Sequence, residues 1–146
     1  MVLDAIGIDA DFLIKIGLCL CFGLIIGAGR ERANKPAGIS THSLVIGGSM
    51  LFTILSLTID PQSTSRIAAQ IVTGVGFLGA GIIMRDNNGL VRNLTTAASI
   101  WFSAAIGMLV GYGFYGYAVI AVVFAVVTPL IPHVPVDHEV TLVKKR

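Results

Sequence analysis

Charge is what this chain has least of. Acidic and basic residues together make up 12% of its 146 residues, where soluble globular domains carry about a quarter. The long apolar stretches avoid charge altogether in their interiors, and none holds a carboxylate there. With 55% hydrophobic side chains and a mean hydropathy of +0.87, the composition excludes a soluble globular protein and leaves a membrane protein. Catalytic patterns are missing as well. No helix carries an HExxH-like pair and no glycine-rich segment follows a strand to cradle a phosphate. The run GVGFLGAG has the wrong spacing and setting for a dinucleotide fingerprint. The chain is therefore expected to be no enzyme and to hold no cofactor.

Cysteine is scarce too. Cys19 and Cys21 lie two apart in an apolar helix, so a 200° rotation sends them to different faces and they cannot pair. No other soft ligand accompanies them, and they read as small packing residues. His133 and His138, spaced by prolines in the tail, lack a third fixed ligand, so no metal site is expected. Before Lys15 there are three aspartates and no basic residue, unlike the start of a secretory signal, so the first span is expected to stay in place. No internal repeat is evident, and one domain is expected: a transmembrane domain over residues 1–131 and a short cytoplasmic tail over 132–146.

What is present is apolar length and glycine. The first span, Asp11 to Ala28, carries Cys19, Gly23 and Gly27 at intervals of four from Lys15, a small-residue face for helix packing. Lys15 reads as a snorkelling lysine paired with Asp11, against the alternative of a lysine linked to a substrate. Gly29 to Ser40 reads as a solvated loop ending in the turn Pro-Ala-Gly. The second span, Thr41 to Ile59, places His42 at its edge as an interfacial side chain, the alternative being a proton-sensitive partner contact. Asp60-Pro61 begins a tight connection in which Ser65 would cap the next helix.

The third span, Ile67 to Met84, contains Gly74, Gly76, Gly79 and Gly81. At 100° per residue Ala69, Thr73, Gly76 and Ala80 share one stripe, and Gln70, Gly74, Gly81 and Phe77 share another on roughly the opposite face. A helix notched on two sides is expected at the centre of a bundle, with Gln70 facing protein. Arg85 to Asn93 then reads as a hairpin through Asn87-Asn88-Gly89. The fourth span, Leu94 to Val110, opens on Asn93 or Thr95 as a cap and repeats Ser99, Ser103, Gly107 and Gly111 at intervals of four, a stripe expected to meet the third span. The fifth, Phe114 to Ile131, is expected to be peripheral, with Val122 facing lipid; Pro129, Pro132 and Pro135 end it. The fold class is thus all-α, a multi-pass transmembrane bundle with about five spans.

Lys and Arg number three between the first two spans (Arg30, Arg32, Lys35), one in the next loop (Arg66), two in the hairpin (Arg85, Arg92), none before the fifth span, and three at the end (Lys144, Lys145, Arg146). By the positive-inside rule this places the N-terminus outside and both basic loops and the tail in the cytoplasm. The lipid bilayer is the obligatory partner. A second integral membrane protein is expected to bind the charged cytoplasmic face, self-association is open, and nothing points to nucleic acid.

The stretches GLIIGAGRERANKPAGISTH and RIAAQIVTGVGFLGAGIIMRDNNGLVRNLTTAASIWFSAAIGM, with the DP turn between them, resemble the membrane domain of the MgtC/SapB family over roughly residues 11 to 131. The resemblance implies a multi-pass plasma-membrane protein of bacteria, linked to growth at low magnesium and, in pathogens, to virulence. It also implies regulation of another membrane protein, notably ATP synthase, through positions matching Asp86, where many relatives have Glu, and Thr95, where some have Asn. On that reading Glu31, Arg85, Asp86, Arg92 and Thr95 are the candidate partner-binding residues, and HEVTLVKKR is either a tail or the remnant of the ACT-type domain that many relatives carry. The competing reading is a magnesium or other cation transporter, in which Gln70 and the Ser/Thr stripe line a polar path. Magnesium's demand for octahedral oxygen ligands weighs against it.

Overall fold

Apolar length dictates the architecture: in lipid only a helix satisfies its own backbone, so each long apolar stretch becomes one. The computed structural model describes residues 9–59, 61–63, 65–85 and 91–132. Within them lie α1 (Ala10–Arg32), α2 (Ile39–Ile59), α3 (Ser65–Ile82), α4 (Leu94–Gly111) and α5 (Tyr115–Val127), which runs into one 3-10 turn, Thr128–Leu130. The first four are long and apolar enough to cross a bilayer, whereas α5 is shorter. A two-residue antiparallel ribbon, β1 (Met84–Arg85) with β2 (Val91–Arg92), joins α3 to α4. The expectations for Asp86, the Asn87-Asn88-Gly89 turn, Asp60, His133, His138 and the tail fall outside the described residues.

The core lies between α1, α2, α4 and α5. Cys19, Phe22 and Ile26 of α1 meet Ile46 and Met50 of α2, Ile106 and Val110 of α4, and Ala118 and Val122 of α5. Close approach is set by glycine. A Cβ on Gly23 would collide with Ser43, on Gly27 with the backbone of Ile39, and on Gly107 with the carbonyl oxygen of Ile46; on Gly111 it would lie 2.6 Å from Thr53 Cβ. Without a hydrophobic force between helices in lipid, such backbone contact and the dispersion it brings are what hold the helices together.

Three expectations are corrected here. The third span is not the centre of the bundle: α3 is an outer helix that buries only Ala68, Ile71, Val75 and Gly79. Gln70, Gly74, Gly76 and Gly81 are exposed, and a Cβ on any of these three glycines would meet nothing within 4 Å; only Gly79 approaches a neighbour, Ala97. The glycine stripe of α4 accordingly meets α2, not α3, since it is α2 that presents backbone oxygens to it. Val122 faces the core and not lipid, being 5% exposed, because α5 lies across α1 and α4 with one apolar line inward. A cleft of about 500 Å³ remains between α2 and α3, lined by Leu44, Gly48, Phe52, Ile71 and Gly74 among others.

Candidate functional site at the hairpin end

One end of the bundle gathers the C-terminus of α1, the N-terminus of α2, the ribbon and the N-terminus of α4. α1 ends in a Schellman motif: Asn34 adopts the left-handed conformation (φ 50), its N–H donates to the Glu31 carbonyl at 3.0 Å, and the Lys35 N–H donates to the Arg30 carbonyl at 3.0 Å. This turns the chain back so that Glu31 faces the start of α2. The Glu31 carboxylate accepts from the Ile39 N–H at 2.8 Å, capping α2 with a negative charge where the helix dipole favours one. Gly38 makes room, since a Cβ there would collide with the Glu31 side chain. Glu31, a candidate for partner binding, is thus engaged within the fold although its residue is exposed.

Arg30 was expected in a solvated loop, but it lies in the last turn of α1 and is 6% exposed. Its Nη2 donates to Thr96 Oγ1 at 2.6 Å and to the Pro36 carbonyl at 3.1 Å, and its Nε donates to the Ala37 carbonyl at 3.2 Å. Ala37 itself has φ 60, a left-handed backbone that costs an alanine roughly 1–2 kcal/mol. The guanidinium holds both carbonyls of that turn and ties it to α4. His42 was expected at the membrane edge, but it is fully buried: Nδ1 lies 2.8 Å from the Gly38 carbonyl and Nε2 lies 3.3 Å from Ser99 Oγ. Ser99 Oγ in turn donates to the Thr96 carbonyl at 2.9 Å. Arg30, Thr96, Ser99 and His42 form one connected polar cluster between α1, α2 and α4.

Two of these were legible in hindsight. The small face Cys19, Gly23, Gly27 of α1 continues by one helical step onto Arg30, and the stripe Ser103, Ser99 of α4 extrapolates back to Thr96.

The ribbon joins α3 to α4 at the same end. Met84 pairs with Arg92 and Arg85 with Val91, and Asn93 Nδ2 donates to the Ile82 carbonyl at 3.3 Å, closing the C-terminus of α3. Asn93, with φ 64, stands at the start of α4 but makes no side-chain bond to that helix, so its amide serves the helix before it. Arg92 and Thr95 are exposed at the surface of this end.

A second polar feature runs through the bundle. His42, Ser49, Thr53 and Ser56 of α2 and Thr96 and Ser103 of α4 are all buried in or beside the α2–α4 contact. Thr53 Oγ1 donates to its own helix at the Ser49 carbonyl, 2.8 Å, whereas Ser103 Oγ has no partner among the described residues. Among the described residues no group of three His, Cys, Asp or Glu side chains could hold a metal ion. At the opposite end, Asp11 of α1 is paired with Lys15 and accepts from Tyr115 Oη at 2.8 Å, fastening α5 to α1.

The sequence model of the MgtC family matches residues 16–134. Protein SapB of Bacillus subtilis is 38% identical over 133 residues, covering 83% of this chain and 56% of its own length. Protein MgtC of Salmonella typhimurium is 44% identical over 112 residues, covering 77% and 48% respectively. YhiD of Escherichia coli, whose given name proposes a magnesium transporter, is 47% identical over 115 residues, covering 73% and 53%. The chain spans about half the length of these curated relatives. No solved structure matches it. Buried glycine contacts, the Arg-Glu-Arg turn and the charged hairpin all lie inside the matched region, and the chain belongs to the MgtC family.

Proposed function

We propose that this chain is a multi-pass protein of the bacterial plasma membrane that supports growth at low magnesium by regulating another integral membrane protein, without enzymatic activity of its own. The hairpin end faces the cytoplasm in this reading, as the basic residues there require. The observation that carries it is the base of the hairpin. Asn93 ties the end of the ribbon to α3, and Arg30 ties the first turn of α4 to α1, so the ribbon between α3 and α4 is anchored where it enters α4. Firm supports under charged loops are how membrane and soluble scaffolds alike offer recognition surfaces. Arg92 and Thr95 stand exposed on it, and Asp86, at the position the family resemblance singles out, follows Arg85 in the sequence.

The buried polar seam between α2 and α4, together with the name given to YhiD, favours a second reading, ion transport. Against it, the seam is closed by backbone contact at Gly107 and Gly111, and its groups are hydroxyls and one imidazole, poor substitutes for the hydration shell of magnesium.

Two measurements separate the readings: growth at low magnesium of Asp86→Ala at unchanged protein level, and magnesium uptake by liposomes that hold only the purified wild-type chain. Regulation requires impaired growth of the variant and no uptake. Uptake by the liposomes, or normal growth of the variant, would replace it with transport.

A further inference from the structure

Helix α3 is amphipathic in the wrong sense for an outer helix of a membrane bundle. Its line Ala68, Ile71, Val75, Gly79 packs inward, while the opposite line is Arg66, Gln70, Thr73, Phe77 and Ala80, all exposed. Those five residues are spaced four, three, four and three apart, the spacing of the seam between two helices that wind around each other. The positions flanking the seam are Ala69, Gly74, Gly76 and Gly81, and a Cβ on any of the three glycines would meet nothing within 4 Å. Small flanks of this kind let two backbones come close. Gln70, which also borders the cleft between α2 and α3, lies about 7 Å along the helix from Ser65, and an amide left to hydrocarbon there would go unpartnered.

We propose that this face is the contact between two copies of the chain, α3 packing in parallel on α3 of the second copy about a two-fold axis normal to the membrane. Identical chains share one topology, so their α3 helices meet in the same direction and at the same depth. Gln70 then lies opposite its counterpart, and because a primary amide is both donor and acceptor, each satisfies the other. Lipid cannot do this, and an unrelated helix would need a matching polar group at that one depth. Phe77, 82% exposed and two turns further along the seam, lies opposite its own counterpart, and the open glycines flanking the seam leave room for both rings. Arg66, at the helix start, keeps its charge at the aqueous edge.

Oxidative crosslinking of the full chain in liposomes tests the contact, in a background carrying Cys19→Ala and Cys21→Ser. Thr73→Cys on the seam is expected to give a covalent dimer, whereas Val72→Cys, 44% exposed but turned off the seam, and Ile120→Cys on the outer face of α5 are expected to give none. A seam variant that lowers the melting temperature is replaced by Ala80→Cys, two seam positions further on. In liposomes containing copies fused to donor and acceptor fluorescent proteins, Gln70→Leu should raise the dissociation constant about five-fold. No dimer from either seam cysteine at any protein-to-lipid ratio, equal yields from all positions, or crosslinking in native membranes only to a different protein would overturn the proposal.

Discussion

A guanidinium buried at a helix end is tolerable only while its donors are met, because an unpaired charge away from water costs several kcal/mol. Arg30 meets two carbonyls of the Pro36–Ala37 turn and one hydroxyl of α4. Thr96 is therefore the link between the first loop and the helix after the hairpin, and its hydroxyl, not its methyl, is what matters. Thr96→Val is expected to lower stability by about 1–3 kcal/mol, whereas Thr96→Ser, which keeps the acceptor, stays within about 1 kcal/mol of the wild type. Thermal unfolding in detergent reads the difference, and equal shifts for both would mean that the 2.6 Å bond contributes nothing. At this scale the sequence was least legible. Arg30 and His42 sit in segments whose polar composition signals a loop and an interface, yet the helices extend a turn beyond the apolar stretch and carry both inward. Burial of a polar residue shows in a sequence only when its helical phase is read against the small residues before it.

The elements themselves were legible, because apolar length alone sets where membrane helices run. Their arrangement was not. Glycine density in α3 signals close approach but does not say to what, and the structure sends the tightest intrachain contacts to Gly23, Gly27, Gly107 and Gly111 and leaves Gly74, Gly76 and Gly81 of α3 open. Substitution should sort them. Gly107→Ala drives a methyl into the Ile46 carbonyl oxygen and is expected to cost about 1–3 kcal/mol, while Gly17→Ala, with nothing within 4 Å, should gain up to about 1 kcal/mol from helix propensity. The same logic applies to α5, where neighbouring valines face opposite ways. Val122→Ala opens a cavity beside Ala118 and Ile106 and should lower the melting temperature, and Val123→Ala, on a residue 56% exposed, should leave it unchanged. Equal responses from either pair would show that burial in the isolated chain does not govern packing in the membrane. The connection between α3 and α4 was legible for a different reason, since its charges and turn residues stand between two apolar stretches; the bonds that Arg30 and Glu31, in the last turn of α1, make to α4 and α2 at the same end were not.

At the scale of the whole molecule, α5 is expected to cross the membrane as a fifth span. Four helices carry the chain from one side to the other and back twice, and the Tyr115–Asp11 hydrogen bond returns the start of α5 to the end of the bundle where α1 begins. From there α5 and its 3-10 turn, Tyr115 to Leu130, reach about 26 Å at 1.5 Å and 2.0 Å per residue, close to the roughly 30 Å of a hydrocarbon core. A short crossing helix is accommodated by local thinning of the bilayer at a modest cost. Beyond Leu130 the sequence ends in Lys144, Lys145 and Arg146, which favour the cytoplasmic side, as do Arg30, Arg32, Lys35, Arg85 and Arg92. A crossing α5 reconciles all of these basic residues with one orientation, whereas a helix that turned back would strand the last three outside. A reporter active only in the cytoplasm is expected to work when fused after Arg146 and to stay silent when inserted at Gln62. Silence at both sites would mean that α5 does not cross, and activity at Gln62 alone would invert the bundle and put the charged hairpin, with the regulatory role proposed for it, on the wrong side of the membrane.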